Sequence, residues 1–258
     1  MQTSRFSLTV FSWLVLTLGT AAQAPLRIAA ASDLQAVLPA LTARFERDTR
    51  HAVDVSFGSS GNFFAQLQNG APFDLFFSAD VDYPKRLESS GLTVPGTLVQ
   101  YASGRIVLWT RSDTHLDLAR GLAVLAEPGV HRIAIANPEH APYGRAAVAA
   151  LRHDGLYDRV RAKFVLGENI SQAAQFAQSG NADAGLIALS LALTPAMRNS
   201  GRYVEVPASY HPPIAQAAVV LRSTRQPDIA RQFLAFLQRP ESRRALQEAG
   251  FVVPAPGR

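Results

Sequence analysis

The chain has 258 residues, 48% hydrophobic and 17% charged, with no cysteine and a formal net charge of +5. That length and apolar content support a sizeable core, in one large domain or two smaller ones. Lack of cysteine excludes a disulfide framework, a thiolate metal site, a cysteine nucleophile and a cysteine-borne lipid anchor. The positive charge is almost all arginine, Lys85 and Lys163 being the only lysines. It forms no basic run and no interleaved basic–aromatic segment, so it does not read as a nucleic-acid footprint; spread over a surface it attracts anions from a distance.

Met1 to Ala24 reads as a cleaved signal peptide. Arg5 supplies the positive start, and Phe6 to Leu18 is an apolar run too short to span a membrane. Small residues follow, and cleavage after Ala21, Ala22 or Ala24 stays open. An exported chain with no lipid anchor points to the periplasm.

Leu26 to Ala31 is expected to be a buried strand. Ser32-Asp33 then cap a helix running to about Arg47, which Pro39 either kinks or delays. Val53 to Phe57 alternates as a strand does, and Phe63 to Gly70 is a short amphipathic helix with a glycine stop. Phe73 to Ser78 is the third strand, and Ala79-Asp80 leads into a helix ending at Gly91. Arg105 to Thr110 is expected to cross between domains. A helix over Leu116 to Ala126 and a strand over His131 to Ala136 follow. Asn137 to Gly144 carries two prolines and a glycine, a fixed loop ahead of a helix over Arg145 to His153. Val160 to Leu166 and Asp183 to Leu189 are expected strands, with a helix opened by Gly167 to Gln172 between them. Ile214 to Leu221 is a returning strand, and helices over Pro227 to Leu237 and Glu241 to Glu248 end the chain before Gly250.

Strands alternating with helices predict an α/β fold with parallel sheets flanked by helices. The chain is expected to leave a first lobe near Gly104 and return near Pro212. That gives a discontinuous lobe of 25–103 plus 213–258, a second lobe of 104–212, and two linking segments as a hinge.

The chemistry-bearing stretch is Phe57-Gly58-Ser59-Ser60-Gly61-Asn62, a strand-to-helix turn. A serine hydroxyl there accepts from a backbone N–H while its proton points elsewhere. The helix N-terminus adds unpaired N–H groups and partial positive charge, which together make a neutral anion trap. The turn at Ser32 is of the same kind. Tyr143 and the Asn169–Ser171 stretch sit at corresponding turns of the second half. Four such turns suit an oxyanion held between closing lobes.

Enzyme readings are weaker. Gly58-Ser59-Ser60-Gly61 lacks the residues of a nucleophile elbow, and no nucleotide-binding glycine motif is present. No histidine pair has metal-ligand spacing. Asp33 and Asp80 read as helix caps rather than as an acid–base pair. A hydrolase using Ser60 would need His140 within hydrogen-bond reach.

Six segments in order resemble the periplasmic molybdate-binding proteins, the ModA-type component of molybdate importers. They are Ala30 to Leu34, Phe57 to Gly61, Asn69 to Asp74, Phe77 to Asp80, Asn137 to Gly144, and Gly167 to Ile170. The resemblance covers nearly all of the mature chain. It implies a two-lobed type II solute-binding fold that closes on molybdate or tungstate, with no cofactor and no catalysis, as a monomer that hands its ligand to the permease of an ABC transporter. Carried over by position, Ser32 and Ser60 give donors from the first lobe. Tyr143, by backbone or phenol, and Ile170, by its backbone N–H, give donors from the second. Asp33 lines the same site; its N–H is expected to serve and its carboxylate to turn away as a cap. A carboxylate facing inward would instead suit a protonated anion such as hydrogen phosphate. Some family members carry a tyrosine where this chain has Ala188, and Tyr143 is expected to stand in for it. Sulfate or phosphate is the alternative cargo.

Overall fold

A computed structural model describes residues 24–255. The expected signal peptide lies outside them, apart from Ala24. The described residues form ten strands: β1 (Leu26–Ala31), β2 (Val53–Gly58), β3 (Leu75–Ser78), β4 (Val99–Gly104), β5 (Ile106–Arg111), β6 (Ile133–Ala136), β7 (Phe164–Gly167), β8 (Ala184–Ala188), β9 (Gly201–Glu205) and β10 (Ile214–Val220). They form two five-stranded sheets, ordered β2-β1-β3-β10-β4 and β7-β6-β8-β5-β9. Apart from the exposed Arg27, the strands β1, β3, β6 and β8 are buried runs covered on both faces, as the sequence pattern requires.

Both sheets are mixed rather than parallel. β1 pairs in parallel with β2 and β3, and β6 with β7 and β8. β10 runs antiparallel to β3 and β4, and β5 antiparallel to β8 and β9. A parallel neighbour needs a long crossover, usually a helix. The chain instead changes sheet directly, between Gly104 and Ile106, and returns between Glu205 and Ile214.

β4 and β9 escaped the sequence reading because both are edge strands with mixed polar content. The first helix begins later than Ser32-Asp33. A 3-10 turn covers Ser32–Ala36, and the α-helix proper is Leu38–Thr49, with Pro39 in its first turn. There the missing N–H breaks no helical bond. The expected helix over Leu116 to Ala126 is a 3-10 segment, Leu118–Ala126, broken at Gly121 (φ 58°). The expected strand from Val160 shrinks to β7, because the helical turns Tyr157–Val160 and Arg161–Lys163 occupy the preceding residues.

Helix Pro227–Leu237 returns to the first sheet. Its Phe233 and Phe236 meet Phe45 edge-on, with ring centroids 4.9 and 5.5 Å apart. Each such ring contributes roughly 1.5–3 kcal/mol by leaving water, which ties the C-terminal segment to β1 and its helix. The second sheet has its own core around the fully buried Trp109.

The carboxyl ends of the parallel strands carry the turns singled out above. β1 feeds the turn at Ser32, and β2 feeds helix Ser60–Gln68. β6 leads to helix Pro142–His153, and β7 to helix Ile170–Gln178. Crevices outside strand carboxyl ends are where open α/β sheets place ligands.

Candidate functional site

Ser32, Asp33, Ser60, Tyr143 and Ile170 line one small cavity, together with Ser59 and small or apolar residues such as Ala79 and Pro142. Residues from both sheets therefore meet at one point, although Ser32 and Ile170 are far apart in sequence.

Each turn uses its residues differently. At the β2 turn, Ser59 is the N-cap; its Oγ accepts from the Asn62 N–H at 3.3 Å. Ser60 opens the helix, and its buried Oγ accepts from the Ala79 N–H at 2.9 Å. With its lone pairs turned to Ala79, the Ser60 O–H proton is free to be donated. Ser32 Oγ accepts a longer bond, 3.4 Å, from the Ser171 N–H. At the β7 turn, Asn169 caps the helix by accepting from the Ser171 and Gln172 N–H groups at 3.0 Å each.

Among the described residues nothing accepts from the backbone N–H of Ser60, Tyr143 or Ile170. All three stand in the first turns of helices, where intrahelical acceptors run out. Buried N–H groups are rarely left alone. Three of them beside two serine hydroxyls place a set of neutral donors around one cavity, and helix N-termini add favourable potential for negative charge.

Asp33 departs from expectation. It caps no helix, and its side chain is fully buried. Oδ2 accepts from the Tyr143 O–H at 2.9 Å and from Gln216 Nε2 at 2.5 Å; Tyr101 in turn donates to Gln216 Oε1 at 2.7 Å. Oδ1 has no partner. Burial raises the Asp33 pKa to about 6, against the lowering effect of the bonds from Gln216 and Tyr143 and of the nearby N–H groups of Asp33 and Leu34. Neither N–H forms a hydrogen bond to Oδ1. Burial, then the Asp33 charge, pushes the phenols of Tyr143 and Tyr101 well above their usual value. The Tyr143 phenol is thus committed to Asp33, which leaves its backbone N–H for a ligand. Gly104 makes room for that phenol, since a Cβ there would collide with the Tyr143 hydroxyl.

Gln216 and Tyr101 were missed in the sequence. Gln216 left a signal, a lone amide in the apolar strand Ile214–Val220; Tyr101, in an edge strand, left none. Ala188 is buried at the end of β8 and does not line the cavity. Beyond it, Ser190 Oγ donates to the Asp33 carbonyl at 2.9 Å.

His140 shares a 2.9 Å hydrogen bond with Ser59, not Ser60, and its Nε2 lies 3.6 Å from the exposed Glu168. Its carbonyl accepts from the Gly61 N–H at 2.9 Å, and a Cβ on residue 61 would sit 2.5 Å from that oxygen. Glycine is required there by close approach. Among the described residues no histidine or carboxylate is hydrogen-bonded to Ser60 Oγ, and the contacts of His140 join the two sides of the cleft. A larger groove of about 290 Å³ lies alongside, but its one cation, Arg145, is already held by Asp80 and Tyr83. Among the described residues no group of three metal-ligating side chains exists.

Two sheets joined by two direct crossings, with a buried donor cluster between them, define a two-lobed solute-binding protein. The match to known proteins agrees. The chain belongs to the family described as bacterial extracellular solute-binding proteins, whose model matches residues 26–252. The molybdate-binding protein ModA of Azotobacter vinelandii is 38% identical over 91% of this chain and 92% of its own length. The ModA of Rhodobacter capsulatus is 36% identical over 81% of each. The solved periplasmic molybdate-binding protein of A. vinelandii superposes with a TM-score of 0.84, covering 89% of this chain and all of that one.

Proposed function

We propose that this chain binds molybdate, and tungstate with it, in the periplasm and delivers it to the permease of an ABC importer. The carrying observation is the cluster of unpartnered N–H groups at Ser60, Tyr143 and Ile170 beside the Ser32 and Ser60 hydroxyls. Neutral donors suffice for a permanently charged oxyanion. Hydrogen bonds to a charged partner contribute roughly 1.5–3 kcal/mol each, and selectivity then follows from cavity size and donor direction. The names of the relatives support molybdate as the cargo.

The finer parts of the reading go together. Met1 to Ala24 is a signal peptide removed on export. The lobes are 25–103 plus 213–258 and 104–212, and they close on the anion. Ser32, Asp33, Ser60, Tyr143 and Ile170 contact its oxygen atoms. The protein acts as a monomer, without cofactor and without catalysis; Ser60 bonded to Ala79 rather than to a base supports the last point.

Thermal unfolding with molybdate, tungstate, sulfate and phosphate tests this. A ligand at about 1,000 times its Kd adds about 4 kcal/mol, or roughly 8–16 °C for a chain of this size. Shifts with molybdate and tungstate alone are expected. A shift with phosphate or sulfate alone would replace the cargo, and no shift with any oxyanion would end the reading.

A further inference from the structure

We propose that Asp33 takes up one proton when the oxyanion enters, with Oδ1 as the protonated atom and a hydrogen-bond donor to an oxygen of the anion. The inference rests on the oxyanion reading above and adds a proton to it. The proton comes from water and goes to Oδ1; no bond of the anion forms or breaks.

The geometry carries the argument. Asp33 is fully buried and lines the cavity. Its two oxygens are unequal: Oδ2 holds two donors, from Tyr143 and Gln216, and Oδ1 holds none. A buried carboxylate oxygen without a partner is costly. Beside a dianion it would be repelled as well, because the surroundings have low dielectric. A proton on Oδ1 removes both penalties and turns the one mismatched atom of the site into a donor.

Among the described residues nothing packed against Asp33 supplies a compensating cation. Helices Ile170–Gln178 and Leu189–Ala192 carry no titratable group. On helix Leu38–Thr49, Arg44 is paired with Glu241, Asp48 with Arg239, and Glu46 accepts from the Val53 N–H, while Arg47 is exposed. Asp54 of β2 is exposed. β4 and β10 offer Tyr101 alone, itself held neutral by burial. Helix Pro142–His153 offers Tyr143, with Arg145 bound to Asp80 and Arg152 and His153 in the last turn, remote from the cavity end. A free-state pKa of about 6 means that the carboxyl is mostly ionised near pH 8 before binding. A neighbouring dianion raises it further.

The test is calorimetric titration of the mature chain with molybdate near pH 8, in buffers of small and large ionisation enthalpy. Close to one proton taken up per anion is expected, falling toward zero well below pH 6. Affinity should drop about tenfold per pH unit above the free pKa. Asp33→Asn, checked for folding by circular dichroism, should bind with no proton exchange and a flat pH profile. Molybdate binding by the parent with buffer-independent heats and a flat profile would overturn the inference while leaving the oxyanion reading standing. Tighter binding of phosphate without proton uptake would overturn it too, making Asp33 an ionised acceptor. No heat with molybdate, sulfate or phosphate would defeat the oxyanion reading and this inference together.

Discussion

The two serine turns of the first sheet share a sequence signature and differ in what they do. After β2, the cap and the donor are separate residues. Ser59 satisfies the helix, Ser60 is oriented by Ala79, and a regular α-helix follows directly. After β1 there is no side-chain cap, a 3-10 turn stands between strand and helix, and a carboxylate is buried behind the serine. The β2 turn contains no titratable side chain of its own. The β1 turn contains a group whose charge depends on pH. Similar local sequence therefore yields a fixed donor in one place and a titratable wall in the other, and the difference comes from which neighbours the sheet order brings beside each turn.

Replacing Asp33 by Asn tests the titratable side of that contrast and should have the largest effect. The folded carboxyl has its pKa raised to about 6 from 3.8, so the native state holds the proton more tightly than the unfolded chain does. The stability this provides is full below about pH 4 and is lost as pH rises through about 6. A shift of that size corresponds to about 3 kcal/mol. Urea unfolding should show the parent losing stability between pH 4 and 7 relative to Asp33→Asn; parallel curves across that range would place the charge elsewhere.

Ser60→Ala breaks the preorganised turn. It removes an oriented donor, expected to weaken molybdate binding ten- to hundredfold, about 1.5–3 kcal/mol, and strands the Ala79 N–H. The variant should still fold. Unchanged affinity in a titration would take Ser60 out of the site.

Ser32→Ala sharpens the comparison at the small end. Among the described residues its hydroxyl has one bond, the 3.4 Å contact from Ser171, so it is less firmly held. A loss of affinity of about 1 kcal/mol or less is expected, smaller than at Ser60. The reverse order would mean that the β1 turn, not the β2 turn, is the better anchored donor.

Much of this was legible beforehand. The turns at Ser32, Ser60, Tyr143 and Ile170 could be placed because capping residues, glycines and buried-strand runs are local signals read over a few residues. The start of the first helix stayed open between a kink at Pro39 and a delayed start, because Ser32-Asp33 looks like a cap, and the tertiary structure takes the delayed start. The edge strands β4 and β9 were missed, since pairing on one side imposes no strong pattern. The role of Asp33 was misread for a deeper reason. Its partners, Gln216 and Tyr143, are 183 and 110 residues away in the chain, and no local rule reports them.

By itself the sequence determined the alternation of strand and helix, the small polar turns at the strand ends, and the absence of a cysteine, all properties of composition and short-range periodicity. The tertiary structure decided that both sheets are mixed, that His140 meets Ser59 and leaves Ser60 to Ala79, and that the Asp33 carboxyl lies buried against neutral donors with one oxygen unpartnered. Burial and charge compensation depend on which distant elements pack together. A carboxylate's pKa is set by that packing, not by its neighbours in the chain.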